Sequence, residues 1–240
     1  MFQTFFYQPI LNLLIFIYNI VPGHDLGIAI IILTIIIKLI LWPLSRKALK
    51  SQKALQEIQP KIEEIKKKYK DKKEEMGKAM MQLYKDNKVN PFSSCLPLLI
   101  QFPFLIAVFR VFRDGFGSHL DLLYPFITHP EAIDYNFLGI IDLSLTHNIV
   151  LAGLAGLAQF WQTQMMMSKR PEVKTLGAKD EDMTAIMNKQ MKIFMPIMTV
   201  MIGYQFSAGL ALYWLVSTLF QALQQLYTFK KEEKIENLII

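Results

Sequence analysis

One lysine stands where a charge is expensive. Lys38 lies in LGIAIIILTIIIKLILWPL, residues 26–44, which holds no other charged side chain. An ammonium at mid-membrane depth costs roughly 2.5–3.5 kcal/mol on insertion scales. It follows Leu26 by twelve residues and precedes Arg46 by eight, so roughly 12 Å of helix separates it from the next cation. Its side chain spans only about half of that distance, and position alone leaves snorkelling and burial equally weighted. The long apolar blocks contain no Asp or Glu, so an intramembrane ion pair is not available. Neutral polar groups are: Thr34 one turn before Lys38, Gln101 in a second block, and Gln159 and Gln162, three apart on one helix face, in a third. Any one glutamine is explained by a helix–helix hydrogen bond, worth roughly 0.6 kcal/mol. An unpaired cation among several such groups implies a water-containing recess.

Other chemistry is sparse. Cys95 is the single cysteine and lies in an apolar stretch, so neither a disulfide nor a thiolate site is expected. His24, His119, His129 and His147 are scattered through polar segments, HExxH is absent, and no carboxylate pair falls within an apolar block. No Gly-rich phosphate loop occurs either. These residues predict no enzyme, no cofactor and no metal. Methionines form a second pattern: Met165, Met166 and Met167, then Met183, Met187, Met191, Met195 and Met198 at three- and four-residue steps. Flexible thioethers suit a surface that accepts varied apolar partners, although ordinary packing is the preferred account.

The elements that would position Lys38 follow from the blocking of apolar residues, which make up 52% of 240. Five blocks approach the ~20 residues a spanning helix needs: 26–44, 94–112, 149–167, 191–206 and 210–227, the last two separated only by a turn around Ser207. Residues 1–23 carry no charge and contain Pro9, Pro22 and Gly23. They read as an interfacial helix, with a sixth span as the alternative. Lysine and arginine set the orientation. Fourteen lie between Arg46 and Asn90, none between Asp114 and His147, six between Ser168 and Lys192, and Lys230, Lys231 and Lys234 lie in the tail. This alternation predicts the N-terminus outside and the C-terminus in the cytoplasm. Arg110 and Arg113, near the outer end of the second block, are discordant and are expected to snorkel or to pair with Asp114.

Between the first two blocks the chain is charged yet keeps apolar stripes: Leu55, Ile58, Ile62, Ile65 and Tyr69, then Met76, Met80, Leu83 and Tyr84. Two amphipathic helices folded into an antiparallel hairpin are expected, with Pro60 starting a helix or kinking one. Such a hairpin either only enforces topology or meets ribosomes, nascent chains and anionic headgroups.

Several stretches together carry a family likeness. IIKLILWPLSRKALKS, QPKIEEIKKKY, MMQLYKDNKVNPFSSCLPLLIQFPFLIAVF and FMPIMTVMIGYQFSAGLALYWLVST occur in the order found in the YidC-type membrane protein insertases, which the chain resembles from about Pro9 to Tyr227. The resemblance implies an all-α integral membrane fold of five transmembrane helices around a hydrophilic groove. In this layout, 1–23 is an outer-surface amphipathic helix, 24–45 the first span, 46–92 a cytoplasmic helical hairpin and 93–113 the second span. An extracytoplasmic loop (114–148), a third span (149–167), a cytoplasmic loop (168–190), two further spans (191–206 and 210–228) and a cytoplasmic tail (229–240) complete it. It also implies that Lys38 is the groove cation, with Thr34, Gln101, Gln159 and Gln162 lining the groove and Tyr213 and Trp214 facing substrate. The implied function is insertion and folding of nascent membrane proteins in the bacterial plasma (inner) membrane without nucleotide hydrolysis. The lipid bilayer is the medium, the ribosome and a Sec translocon are possible partners, and no DNA is involved. Three features depart from many members. There is no large extracytoplasmic domain and no lipoprotein-type cysteine near the start. The tail balances three lysines against Glu232, Glu233 and Glu236, which argues against strong tail-dependent ribosome docking. A small-solute transporter or channel is the rival reading, which flux through purified protein in liposomes would favour; neither internal repeats nor paired broken helices support it.

Overall fold

The computed structural model describes residues 1–70, 72–90, 96–114, 120–166 and 179–239. The chain is mostly helical. After a π-helical turn over Gln3–Tyr7, α1 (Gln8–Ile20) opens on Pro9, whose fixed φ suits a first helical turn. Ile10, Leu11, Leu14, Ile15 and Tyr18 of α1 are buried, while Phe16 and Ile20 are exposed. A tight reversal follows, with Gly23 at φ 76° and His24 at φ 50°. Asp25 then caps α2 (Leu26–Ile40), its Oδ1 accepting from the Ile28 amide at 2.9 Å.

The sequence expectation of one continuous helix over 26–44 is corrected here. The helix breaks at Leu41, and α3 (Trp42–Glu57) leaves at 67° to α2. Pro43 supplies the reason: it has no N–H to bond back to the Leu39 carbonyl, and its ring crowds the preceding turn. Pro60 likewise opens a new helix, α4 (Gln59–Lys68), which pairs with α5 (Lys73–Asp86). The charged segment is thus three helices, its first arm broken in two.

The remaining helices are α6 (Leu96–Asp114), α7 (Ile149–Met166), α8 (Lys179–Gln205) and α9 (Ala208–Ile239). Helix α8 starts twelve residues before the expected span at 191, and α9 carries the expected tail as helix to Ile239. Helix α7 packs along both α8 and α9, and α9 also packs on α2. Small residues permit the approach. Ala152, Ala155 and Ala158 of α7 are buried, and a Cβ on Gly156 would collide with a Val200 methyl.

Residues 120–148 draw one end of the bundle together. A two-stranded antiparallel hairpin, β1 (Asn136–Phe137) and β2 (Ile141–Asp142), and an isolated antiparallel bridge between Thr146 and Ser207 depart from the all-helical fold among the described residues. Phe137 lies flush against Gly27, where a Cβ would run into its ring. Backbone bonds run from Ala208 to the Leu145 carbonyl and from Gly209 to the Leu143 carbonyl. Buried Asn12 donates to the Leu122 carbonyl and accepts from the Tyr124 amide. Arg110 and Arg113, expected to snorkel or to pair with Asp114, lie over the Phe2 and Phe109 rings; the Asp114 side chain is outside the described set.

No single described helix is long and apolar enough to cross a membrane; α2 and α3 qualify together as a bent pair. At 15 residues α2 rises about 22 Å. Glutamines dilute α7 and α9, and charged residues end α6 and begin α8.

Candidate functional site

Lys38 sits on the last turn of α2 with only 5% of its surface exposed. Its ammonium donates to Gln101 Oε1 on α6 at 2.9 Å and reaches Gln221 Oε1 on α9 at 3.4 Å. Gln101 in turn donates its Nε2 hydrogen to the hydroxyl of Tyr213, which is buried on α9. Three helices thus converge on one cation. Among the described residues no carboxylate pairs with it. Amide carbonyls replace part of its hydration shell and leave its charge in place. Such an ammonium remains able to attract an anion, because nothing of opposite sign has been spent on it.

The other residues singled out by sequence are placed differently. Thr34 is fully buried and donates its hydroxyl to the Ile30 carbonyl of its own helix at 2.6 Å, so its hydrogen is committed locally. Gln162 is buried and Gln159 half-buried on α7, and Trp214 is half-buried on α9. No hydrogen bond among the described residues joins Thr34, Gln159, Gln162 or Trp214 to the Lys38 network. Of the methionines, Met195 is exposed and Met198 half-buried; Met167 and the side chains of Met183, Met187 and Met191 lie outside the described set, as does Cys95. No three His, Cys, Asp or Glu side chains gather as a metal site among the described residues.

Sequence reasoning missed Gln221 and the polar residues beyond it on α9. Gln224 is buried and donates to the Trp42 carbonyl at 3.2 Å, while Thr228 donates back to the Gln224 carbonyl. Gln225 is fully buried, and neither amide atom has a partner. Ser217, Thr218, Gln221, Gln224, Gln225 and Thr228 recur at three- and four-residue steps, a polar stripe about 16 Å long on α9. That periodicity was the available signal.

Comparison with known proteins identifies the family. The profile of the family described as "60Kd inner membrane protein" matches residues 16–235. A protein of Clostridium tetani named "Membrane protein insertase YidC" is 38% identical over 213 residues, covering 89% of this chain and 86% of that protein. One of the same name from Fusobacterium nucleatum is 35% identical over 232 residues, covering 95% of this chain and 99% of that protein. Another, from Oleidesulfovibrio alaskensis, is 33% identical over 232 residues, but these amount to only 39% of its length. With nearly the whole chain matched to the profile and to short and long relatives alike, the protein belongs to the 60Kd inner membrane protein family, that of the YidC membrane protein insertases.

Proposed function

We propose that this protein is a bacterial inner-membrane insertase. It transfers polar segments of nascent membrane proteins across the bilayer through a lipid-open groove that holds Lys38. In this reading five segments span, built on α2, α6, α7, α8 and α9, with α3, α4 and α5 in the cytoplasm together with the C-terminus. The N-terminus and residues 120–148 lie outside, and α1 rests at the outer interface. The observation that carries the proposal is the buried Lys38 ammonium, held only by glutamine carbonyls among the described residues.

The physical task is to carry a short polar segment past hydrocarbon. A wet recess reaching partway through the bilayer shortens the apolar barrier, and a cation within it attracts acidic residues of the arriving segment. Apolar residues of the client then move sideways into lipid. Burying them releases about 0.8 kcal/mol per CH₂ group, which drives the step without nucleotide. Gln101, Tyr213 and Gln221 hold the ammonium in position. Gln159, Gln162 and Trp214 would line the remainder of the groove, and α4 and α5 would meet the nascent chain or a ribosome at its mouth.

The test is insertion of a single-span client with an acidic N-terminal tail into proteoliposomes containing the purified protein. Lys38→Glu is expected to reduce insertion at least tenfold at equal protein content, and Lys38→Arg to retain most of it. Full activity of Lys38→Glu would overturn the proposal.

A further inference from the structure

Arg110 and Arg113 lie at the end of α6 that leads into residues 120–148, against the lysine and arginine bias that orients the chain. Arg110 follows Gln101 by nine residues, so it stands about 14 Å along α6 from the amide that holds Lys38. Both arginines are exposed. No carboxylate among the described residues pairs with Arg110, whose guanidinium carbon lies 5.0 Å from the centre of the Phe2 ring. Phe2 stacks on Phe6 at 5.5 Å, and Phe6 meets Phe104 edge to face at 5.6 Å. The N-terminal π-helical turn thereby builds a run of rings from Arg110 back to Phe104, six residues deeper on α6. Arg113 lies over Phe109 at 5.8 Å. The exposed face of α6 continues the line inward. Leu99 and Phe102 are 62% and 53% exposed, and with the half-buried Ile106 they precede Arg110 and Arg113 at steps of three and four residues. One stripe thus presents apolar side chains over about 10 Å and two guanidinium groups at its end.

We propose that this stripe is a binding site for an anionic phospholipid in the leaflet at the 120–148 end. The lipid phosphate sits on Arg110 and Arg113, and one acyl chain runs along Ile106, Phe102 and Leu99. The chemistry selects the occupant. A planar guanidinium pairs with two phosphate oxygens at once, and stacking on a ring leaves that hydrogen-bonding edge directed outward. Two guanidinium groups one turn apart repel the ammonium of a zwitterionic headgroup, whereas an anionic headgroup carries no such charge. The stripe turns apolar within one turn of the cations, which matches an acyl chain and does not match a soluble phosphate. A bound lipid ties α6 to the N-terminal turn, because Phe2 holds the Arg110 guanidinium on one side while the phosphate holds its edge. This inference goes beyond the insertase reading and needs only that α6 lie in a bilayer.

The experiment reconstitutes the full chain in vesicles that hold a trace of phosphatidylglycerol with a photoactivatable group near the top of one acyl chain. After irradiation the labelled peptides are mapped. Label is expected on residues 1–20 and 96–114, at least fivefold weaker in vesicles of phosphatidylglycerol, which competes, than in vesicles of phosphatidylcholine. In phosphatidylcholine, Arg110→Gln with Arg113→Gln is expected to cut that label at least fivefold and to leave label on the basic segment 46–90 unchanged, which shows the chain still folded and embedded. Arg110→Lys with Arg113→Lys keeps the charges without the planar fork and is expected to retain part of the label. Equal labelling of 96–114 in the wild type and a folded glutamine variant would overturn the proposal. Should the glutamine variant not fold, the wild-type competition decides alone: label displaced as well by phosphatidylcholine as by phosphatidylglycerol would also overturn it. So would displacement by soluble glycerol phosphate, which marks a site for a free anion, or by an acidic peptide, which assigns the stripe to a polypeptide. Client insertion is not part of the readout, so a failure of the insertase reading leaves these outcomes distinct.

Discussion

Gln101→Leu separates the contributions around the buried cation. The substitution removes the carbonyl 2.9 Å from the Lys38 ammonium and the N–H that reaches the Tyr213 hydroxyl. A hydrogen bond to a charged group contributes about 1.5–3 kcal/mol and a neutral one about 1 kcal/mol, so the loss should total about 3 kcal/mol. Gln221→Leu removes only a 3.4 Å contact and should cost less than about 1 kcal/mol. The decisive comparison is made in a Lys38→Met background, where no charge is left stranded. There Gln101→Leu forfeits only the Tyr213 bond, about 1 kcal/mol, which leaves a coupling of about 2 kcal/mol between Lys38 and Gln101. Equilibrium unfolding of the four proteins in mixed micelles, followed by tryptophan fluorescence, closes the cycle. A coupling below about 0.5 kcal/mol is within the additivity expected of independent sites and would refute the claim that Gln101 solvates the ammonium.

Two further outcomes rest on contacts away from the cation. Gly156→Ala drives a Cβ into a methyl of Val200 and should destabilise the α7–α8 contact by about 1–3 kcal/mol; thermal unfolding should show Val200→Ala restoring most of the loss, and no rescue would mean the helices do not meet there. In the 120–148 loop, the Ser144 hydroxyl and then its amide hold the Asp142 carboxyl below its ordinary value. A depressed folded pKa contributes stability above the unfolded value that is lost as pH falls through the folded one. Ser144→Ala should therefore move the Asp142 titration upward toward the usual carboxylate range in an NMR pH series, and an unmoved titration would contradict the contact.

What the sequence disclosed depended on whether the signal was a residue type or a face. Lys38 and Gln101 were visible because a charge and an amide in apolar runs are costly wherever they point. Gln221 was equally visible by type, but it lay in a segment read for length. Only the three- and four-residue spacing from Ser217 to Thr228 reveals that the polar residues of α9 share a stripe. Thr34 shows the opposite case: the residue is polar and one turn from Lys38, and its hydroxyl bonds within its own helix. Pro43 marked the break after α2, but the apolar run continued past it to Leu44 and hid the bend. The β1–β2 hairpin could not be read at all. Strands of two residues have no periodicity, and the positive-φ pair Leu138-Gly139 at its turn lacks the usual Asn or Asp in the first position.

The two ends of the bundle differ in how completely their polar groups are satisfied, and this bears on which end moves. At the 120–148 end, Gln8, Asn12, Asn19 and Asp25 bond to loop backbone, and Tyr18 accepts from the Asp134 amide. Opening that end would break several good bonds at once. At the other end α2 and α3 meet α9 through the long Lys38–Gln221 and Gln224–Trp42 bonds and the packing of the Trp42 ring on Phe220, and the Gln225 amide is left without a partner. Local opening takes the path of least loss. The α3 side is therefore the end expected to open first, with the far end held shut by its loop contacts. An insertase needs that asymmetry if a client is to enter from one side without letting solvent through to the other.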